Sequence, residues 1–229
     1  MDISLRLKCI ANQIDPCNSI ADIGTDHGYI PIYLIKQGKC KTAIASDINK
    51  GPVEKVSFNV ATENMESVIS CRLGPGLSVL ESNEVDSIII AGMGGNLIRD
   101  IIEGDLKIFK SINYAVLQPV QNPEILRKYL LEKGFDIIEE DLCKDDGRYY
   151  EIIKVKFGLG PIKKEKVFYE ISENLIIKKH PLLKEYLNFK IENYSKSLSY
   201  ISQDTPLSKK RRNELKSKIQ SLKELLLCL

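Results

Sequence analysis

Residues 19–31, SIADIGTDHGYIP, decide how the rest of the chain is read. Ser19 to Gly24 has the apolar density of a buried strand and stops on a glycine. The stretch after Pro31 is helical up to Gly38, because proline is tolerated in a first helical turn. A strand that ends in an acid and a glycine, followed by a helix, is the nucleotide-binding turn of doubly wound folds. Gly24 lets the backbone turn tightly, and Gly28 lets the helix approach the strand. The third position of the usual glycine pattern is Asp26. A carboxylate there would repel a pyrophosphate and suits a ligand that carries positive charge. Alone, the motif is weak, and an ordinary strand-to-helix turn explains it better.

Working outward, the alternation repeats. Residues 4–14 have helical spacing, ended by Asp15-Pro16. Strands are expected at 42–47, 69–73, 85–91 and 114–119, with helices at 52–62, from 97 and at 123–133. Phe135 to Leu142 and Tyr149 to Phe157 form two more strands, joined by the tight-turn signal Asp145-Asp146-Gly147. Apolar strands alternating with helices predict an α/β fold, a parallel sheet covered on both faces. One late antiparallel strand on such a sheet is the topology of Rossmann-like class I methyltransferases, a likeness of fold alone.

Gly158-Leu159-Gly160-Pro161 breaks the pattern. The expected division is a body at 1–158 and a tail at 159–229. In the tail, Leu183, Leu187, Ile191, Tyr194, Leu198 and Ile201 form one apolar stripe, and Leu215, Ile219, Leu222 and Leu226 form another. Asp204-Thr205-Pro206 separates them. The spacing predicts an antiparallel helical hairpin of coiled-coil type.

The chain has 229 residues, 43% hydrophobic and 28% charged, an ordinary globular composition. No apolar run is long enough to span a membrane, and no secretory leader stands at the start of this sequence. The six cysteines include no Cys-x-x-Cys pair, so neither a metal site nor a disulfide framework is expected, and a reduced, cytoplasmic compartment is. The net charge of +2 conceals an asymmetry: residues 1–158 sum to −5 and residues 159–229 to +7. A basic tail on an acidic body suits a polyanionic partner, and a solvated basic surface explains the charge equally well.

The site residues follow from the strand ends. Asp47, 25 residues after Asp22, closes the second strand, where a carboxylate can take both ribose hydroxyls. Gly74-Pro75-Gly76 and Gly92-Met93-Gly94-Gly95 close the third and fourth. Small or acidic residues at four successive strand ends on one rim favour a nucleotide-like cofactor. S-adenosylmethionine fits the acids, because its sulfonium and ammonium would face Asp22 and Asp26. The cofactor residues expected are Asp22, Gly24, Asp26, His27, Asp47, Ile48, Gly74, Gly76, Ala91, Gly92 and Met93.

The segments ADIGTDHGYIP, GPVEKVSFN, RLGPGL, IIIAGMGGNLI, LQPV, LRKYLLEKGF and DDGRYYEII resemble the bacterial tRNA (adenine-22, N1) methyltransferase family. Asp26-His27 and the Ala91–Gly95 block are the most distinctive parts. The resemblance implies a class I, S-adenosylmethionine-dependent enzyme with a coiled-coil tail, acting on N1 of adenine 22 in tRNA. The family usually has an acid at Pro75, an Asn at Val120 and a Trp at Tyr129. Asp26, His27 and Met93 are the candidate catalytic residues: Asp26 to stabilise a cationic methylated adenine, His27 as a partner or proton acceptor, Met93 to pack on the base. His27 and Met93 have plainer readings, as a loop-fixing residue and a core residue. Lys209, Lys210, Arg211 and Arg212, with Lys163, Lys164 and Lys166, are the expected tRNA contacts. No metal or membrane partner is expected, and a monomer is. The alternatives are a methyltransferase of another substrate, an NAD-linked oxidoreductase, which Asp26 opposes, and a non-catalytic RNA-binding module with a vestigial pocket.

Overall fold

The computed structural model describes residues 2–158 and 160–229. Seven strands form one sheet in the order β3-β2-β1-β4-β5-β7-β6. They are β1 (Ser19–Ile23), β2 (Thr42–Asp47), β3 (Ile69–Leu73), β4 (Ser87–Gly94), β5 (Tyr114–Gln121), β6 (Phe135–Asp145) and β7 (Arg148–Phe157). The first five pair in parallel, and β7 runs antiparallel to both β5 and β6. Asp146 and Gly147 both have positive φ, 47° and 73°, as the two-residue β6–β7 hairpin requires.

The body helices are α1 (Leu5–Asn12), α2 (Tyr29–Lys36), α3 (Lys50–Thr62), α4 (Gly95–Gly104), α5 (Leu106–Ser111) and α6 (Pro123–Glu132). They cover both sheet faces. Along β4, Ile88 and Ile90 enter the apolar layer that includes Ile98, Ile102, Leu126 and Leu130, and Ile89 enters the opposite layer with Ile10, Ile32, Leu34 and Val56. Each such fully buried aliphatic side chain stabilises the fold by about 1.5–3 kcal/mol.

Three local expectations change. The second helix begins at Tyr29, two residues before Pro31. β4 continues to Gly94, and its register against β5 shifts twice near Met93. This irregular end replaces the simple turn expected at 92–95. Gly95 opens α4 because a Cβ there would lie 2.4 Å from the Asn122 carbonyl oxygen at the neighbouring β5–α6 turn. Short elements carried no periodic signal: α5, a 3₁₀ turn at Gly76–Val79, and the tail helices α7 (Lys166–Glu170) and α8 (Glu173–Ile177).

The chain divides into two compact units, one up to Lys163 and one over Lys164–Leu229. Leu159, at the expected division, lies outside the described residues. The residues after it stay with the body: the Ile162 N–H donates to the Leu131 carbonyl at 2.9 Å. The second unit contains two longer helices, α9 (Leu183–Ser199) and α10 (Pro206–Leu227). Of the two apolar stripes, Leu183, Leu187, Leu215 and Leu222 are buried, and Ile171, Leu175 and Tyr186 are buried in the same unit. Buried Glu170 joins this unit together, ion-paired to Lys190 and Lys218 and accepting from the Tyr194 hydroxyl. Among the described residues no helix is long and apolar enough to cross a membrane.

Candidate active site

The carboxyl ends of β1, β2 and β4 converge on the turn at Gly24. The Gly24 and Thr25 amides both donate to the Ser46 carbonyl, at 2.7 and 2.9 Å, which ties this turn to the end of β2. Gly24 has φ +75°. The Met93 methyl lies directly over it, and a Cβ at residue 24 would sit 1.8 Å from Met93 Cε. Two cavities meet at this glycine.

The first, of about 350 Å³, is lined by Asp22, Asp26, His27, Tyr29 and Gly92, and also by Arg6. Asp22 is only 4% exposed. Burial pushes its carboxyl up to about 6, against the opposing pull of the Thr25 hydroxyl and the Arg6 charge. Asp26 is half-exposed and held at both oxygens, by Lys55 Nζ at 3.1 Å and His27 Nε2 at 3.0 Å. The His27 ring stacks on Tyr29, with centroids 4.9 Å apart and planes 9° apart. The Asn59 amide on α3 donates to the His27 carbonyl at 2.9 Å.

The second cavity, of about 490 Å³, holds Asp47, Ile48, Gly74, Gly76 and Met93. Asp47 Oδ1 accepts from the Asn49 backbone amide at 2.7 Å, and Oδ2 has no partner among the described residues. Pro75 also lines this cavity, and so do Leu97, Ile101, Asp100 and Asp105 from the far side. The cavity therefore has carboxylates even though the residue between its two glycines is not an acid. Ala91 and Gly92 line the first cavity. Every residue expected at the cofactor thus lines one or other cavity.

Four residues were missed. Arg6 shares a short helix before the first strand with Lys8, and nothing in its spacing marks it. Lys55 sits on the exposed side of an amphipathic helix. Asp100 and Asp105 come after the glycine block, and only the fold of α4 and α5 turns them back to the rim. Sequence proximity signals none of these placements.

In the second unit the four basic residues are not equivalent. Lys209 and Arg212 pair with Asp204 at 3.1 and 3.5 Å, and Arg212 also donates to the Gln203 carbonyl at 2.6 Å. Arg211 approaches Glu214 at 3.5 Å. Lys210 is exposed, with no ion pair among the described residues.

The Asp22 environment predicts a pH dependence for any cationic ligand of the first cavity. Such a ligand favours the charged carboxylate, so binding lowers the Asp22 pKa and releases a proton when pH is below about 6. Affinity should be flat above pH 7 and fall by up to about tenfold per pH unit below 6. Titration calorimetry at pH 5, 6 and 7.5 checks this, and a flat profile would remove Asp22 from the ligand's charged end.

Comparison with known proteins agrees with this geometry. A methyltransferase-domain family model matches residues 3–153. The tRNA (adenine(22)-N(1))-methyltransferase of Bacillus subtilis strain 168 is 31% identical over 99% of this chain and 98% of its own length. A Streptococcus agalactiae protein of the NADB-Rossmann superfamily has 33% identity and a TM-score of 0.89, covering 99% of this chain and 98% of that one. The M. capricolum TrmK protein, solved with S-adenosyl-homocysteine, has 28% identity and a TM-score of 0.84 over 98% and 97% of the two chains. The fold, the paired cavities at the carboxyl ends of the strands and the full-length match to the Bacillus subtilis enzyme together place this chain in the tRNA (adenine(22)-N(1))-methyltransferase family.

Proposed function

We propose that this chain methylates N1 of adenine 22 in tRNA, with S-adenosylmethionine as donor. The observation that carries this reading is the pair of cavities meeting at Gly24, acid-lined at one end and largely apolar at the other. That sequence of environments fits an adenosine joined to a charged amino acid. Asp47 takes the ribose through its unpartnered Oδ2. Ile48, Leu97 and Ile101 offer faces to the purine, and Asp100 or Asp105 can accept from its amine in place of an acid at Pro75. Asp22 faces the ammonium. Bound there, the donor supplies an electrophilic methyl on sulfur.

The chain's own residues do the rest. Adenine N1 has an in-plane lone pair, so no base is needed first, and the site must hold nitrogen, methyl and sulfur in line. The methylated ring is cationic until a proton leaves. Asp26 at the cavity rim stabilises that charge, with Lys55 and His27 fixing its carboxylate, and His27 is placed to accept a proton. Met93, over the Gly24 turn, is positioned between the cavities and packs on the base. The body up to residue 158 is the cofactor-binding domain. The tail from 159 contacts tRNA phosphates as a coiled-coil hairpin through Lys209, Lys210, Arg211 and Arg212, chiefly Lys210, because Lys209 and Arg212 are shared with Asp204 and Arg211 approaches Glu214. The protein acts as a monomer in the cytoplasm, where its substrate is.

Two variants test the assignments. Asp47→Ala should weaken cofactor binding by about 1.5–3 kcal/mol, the scale of hydrogen bonds to a charged group; unchanged calorimetric affinity would remove Asp47 from the ribose site. Asp26→Asn should lower kcat with little change in the KM for tRNA, since the charge matters most once the ring becomes cationic. A raised KM for the donor with kcat intact would mean that Asp26 grips the cofactor instead. The reading as a whole is tested by incubating the full chain with labelled donor and unmodified tRNA. The expected product after digestion is labelled N1-methyladenosine, and label on another nucleoside, or on none, overturns it.

A further inference from the structure

Two of the cations expected to meet RNA, Lys166 and Arg211, are far apart in the sequence and line one cavity of the second unit. The cavity, of about 310 Å³, is lined from α7 and α10. Val167 and the fully buried Leu222 form the apolar part of its wall. By helical spacing, Arg211, Glu214, Lys218 and Ser221 share one face of α10, and Ser217 stands one turn before Ser221. Lys166, Arg211 and Ser217 are exposed, so the cavity opens to solvent.

Its charges do not cancel. Glu170 is buried and already answered: Lys218 pairs with Oε1, the Tyr194 hydroxyl donates to Oε2 at 2.5 Å, and Lys190 lies 3.5 Å from Oε2. Burial pushes the Glu170 carboxyl up, and Lys190, Lys218 and Tyr194 together reverse this and hold it below the ordinary glutamate value. Glu214 has Arg211 Nη1 at 3.5 Å. Lys166 has no ion pair among the described residues. With Lys190 included, four cations therefore stand against two carboxylates.

The serines add neutral donors. Ser195 and Ser199 on α9 turn their hydroxyls back onto the helix, donating to the Ile191 and Lys196 carbonyls at 2.7 and 2.8 Å. Ser217 and Ser221 make no such bond among the described residues, which leaves both hydroxyls for a ligand. Surplus positive charge from two helices, with hydroxyl donors between, matches a tetrahedral oxyanion that can meet both walls at once.

We propose that this cavity binds one backbone phosphate of the RNA substrate, with Lys166 and Arg211 reaching it from the two helices and Ser217 and Ser221 donating between them. This rests on the tRNA reading above. It makes part of the basic tail a defined contact instead of a diffuse charged surface. Lys218, held by Glu170, contributes its charge from a fixed position.

The test measures tRNA binding by the full chain with fluorescence anisotropy across a potassium chloride series. Lys166→Gln should weaken binding about 3–10-fold and reduce the slope of log Kd against log salt by just under one, because one phosphate contact fewer is made. Lys216→Gln removes the same charge from an exposed position on α10 outside the cavity, and should change affinity by about twofold or less. Ser217→Leu combined with Ser221→Leu fills the cavity at constant charge and should weaken binding as much as Lys166→Gln does. Calorimetry with S-adenosylhomocysteine should give wild-type affinity in every variant. Equal losses in Lys166→Gln and Lys216→Gln overturn the proposal, because the charge would then act diffusely. So does wild-type tRNA affinity in the filled variant. Lys166 and Lys216 are both exposed, so their comparison decides the matter even if the filled variant lost its tail helices. Wild-type protein that neither binds nor methylates tRNA would sink the tRNA reading itself, whereas neutral variants of an active enzyme sink only the phosphate site.

Discussion

Gly24→Ala will lose cofactor affinity on the order of 100-fold while the protein still folds. Residue 24 has φ +75°, a conformation that costs a residue with a Cβ about 1–2 kcal/mol. The added carbon would also stand 1.8 Å from Met93 Cε. The methionine is flexible and can swing away, but it lines the second cavity and its tip must then be placed in or beside it. Both the new methyl and the displaced thioether narrow the passage where the two cavities meet. Calorimetry on Gly24→Ala alone and combined with Met93→Ala separates the contributions. The second substitution should restore part of the affinity, and the backbone component should persist. Full affinity in the single variant would mean that the ligand does not cross this turn.

The second large effect lies away from the site. Arg127→Met should destabilise the body by about 3–5 kcal/mol. Arg127 on α6 is almost completely buried and bridges two buried carboxylates from the β6–β7 ribbon. Its Nε and Nη2 donate to Glu140 Oε1 at 3.0 and 2.7 Å, and Nη2 also pairs with Glu151. Burial opposes the guanidinium charge, and the two carboxylates outweigh it, holding its pKa above the ordinary arginine value. Removing the cation leaves buried negative charge, which is why the loss should exceed that of an ordinary core substitution. The melting temperature should fall by roughly 6–20 °C for a chain of this size. Adding Glu140→Gln and Glu151→Gln should recover much of the loss. An unchanged melting temperature in the single variant would show that the cluster contributes nothing to stability.

The strand ends were legible because the fold's chemistry there is local. Asp22 and Gly24 sit at one strand end and its turn, Asp47 closes a strand whose apolar pattern is unmistakable, and the Gly74 turn and the glycine-rich end of β4 announce themselves by composition. Arg6 and Asp105 were not legible. One reaches the rim from a helix that precedes the whole sheet, and the other from a cap between two short helices. Their roles depend on crossings that periodicity does not encode. Met93 illustrates an intermediate case: the sequence marked it as a site residue, and the irregular end of β4 determines that it lies over Gly24. In the tail, the charge asymmetry was visible, but the sharing of Asp204 between Lys209 and Arg212 required the fold of the α9–α10 connection.

Primer extension on a tRNA transcript treated with the full chain and S-adenosylmethionine tests the central claim most directly. Methylation at N1 removes the Watson–Crick edge of adenine, so reverse transcription should halt one nucleotide before position 22. The account predicts that stop on the native transcript and none on a transcript carrying guanine at 22. A stop at another adenine, or read-through on a transcript that has taken up label, would contradict it.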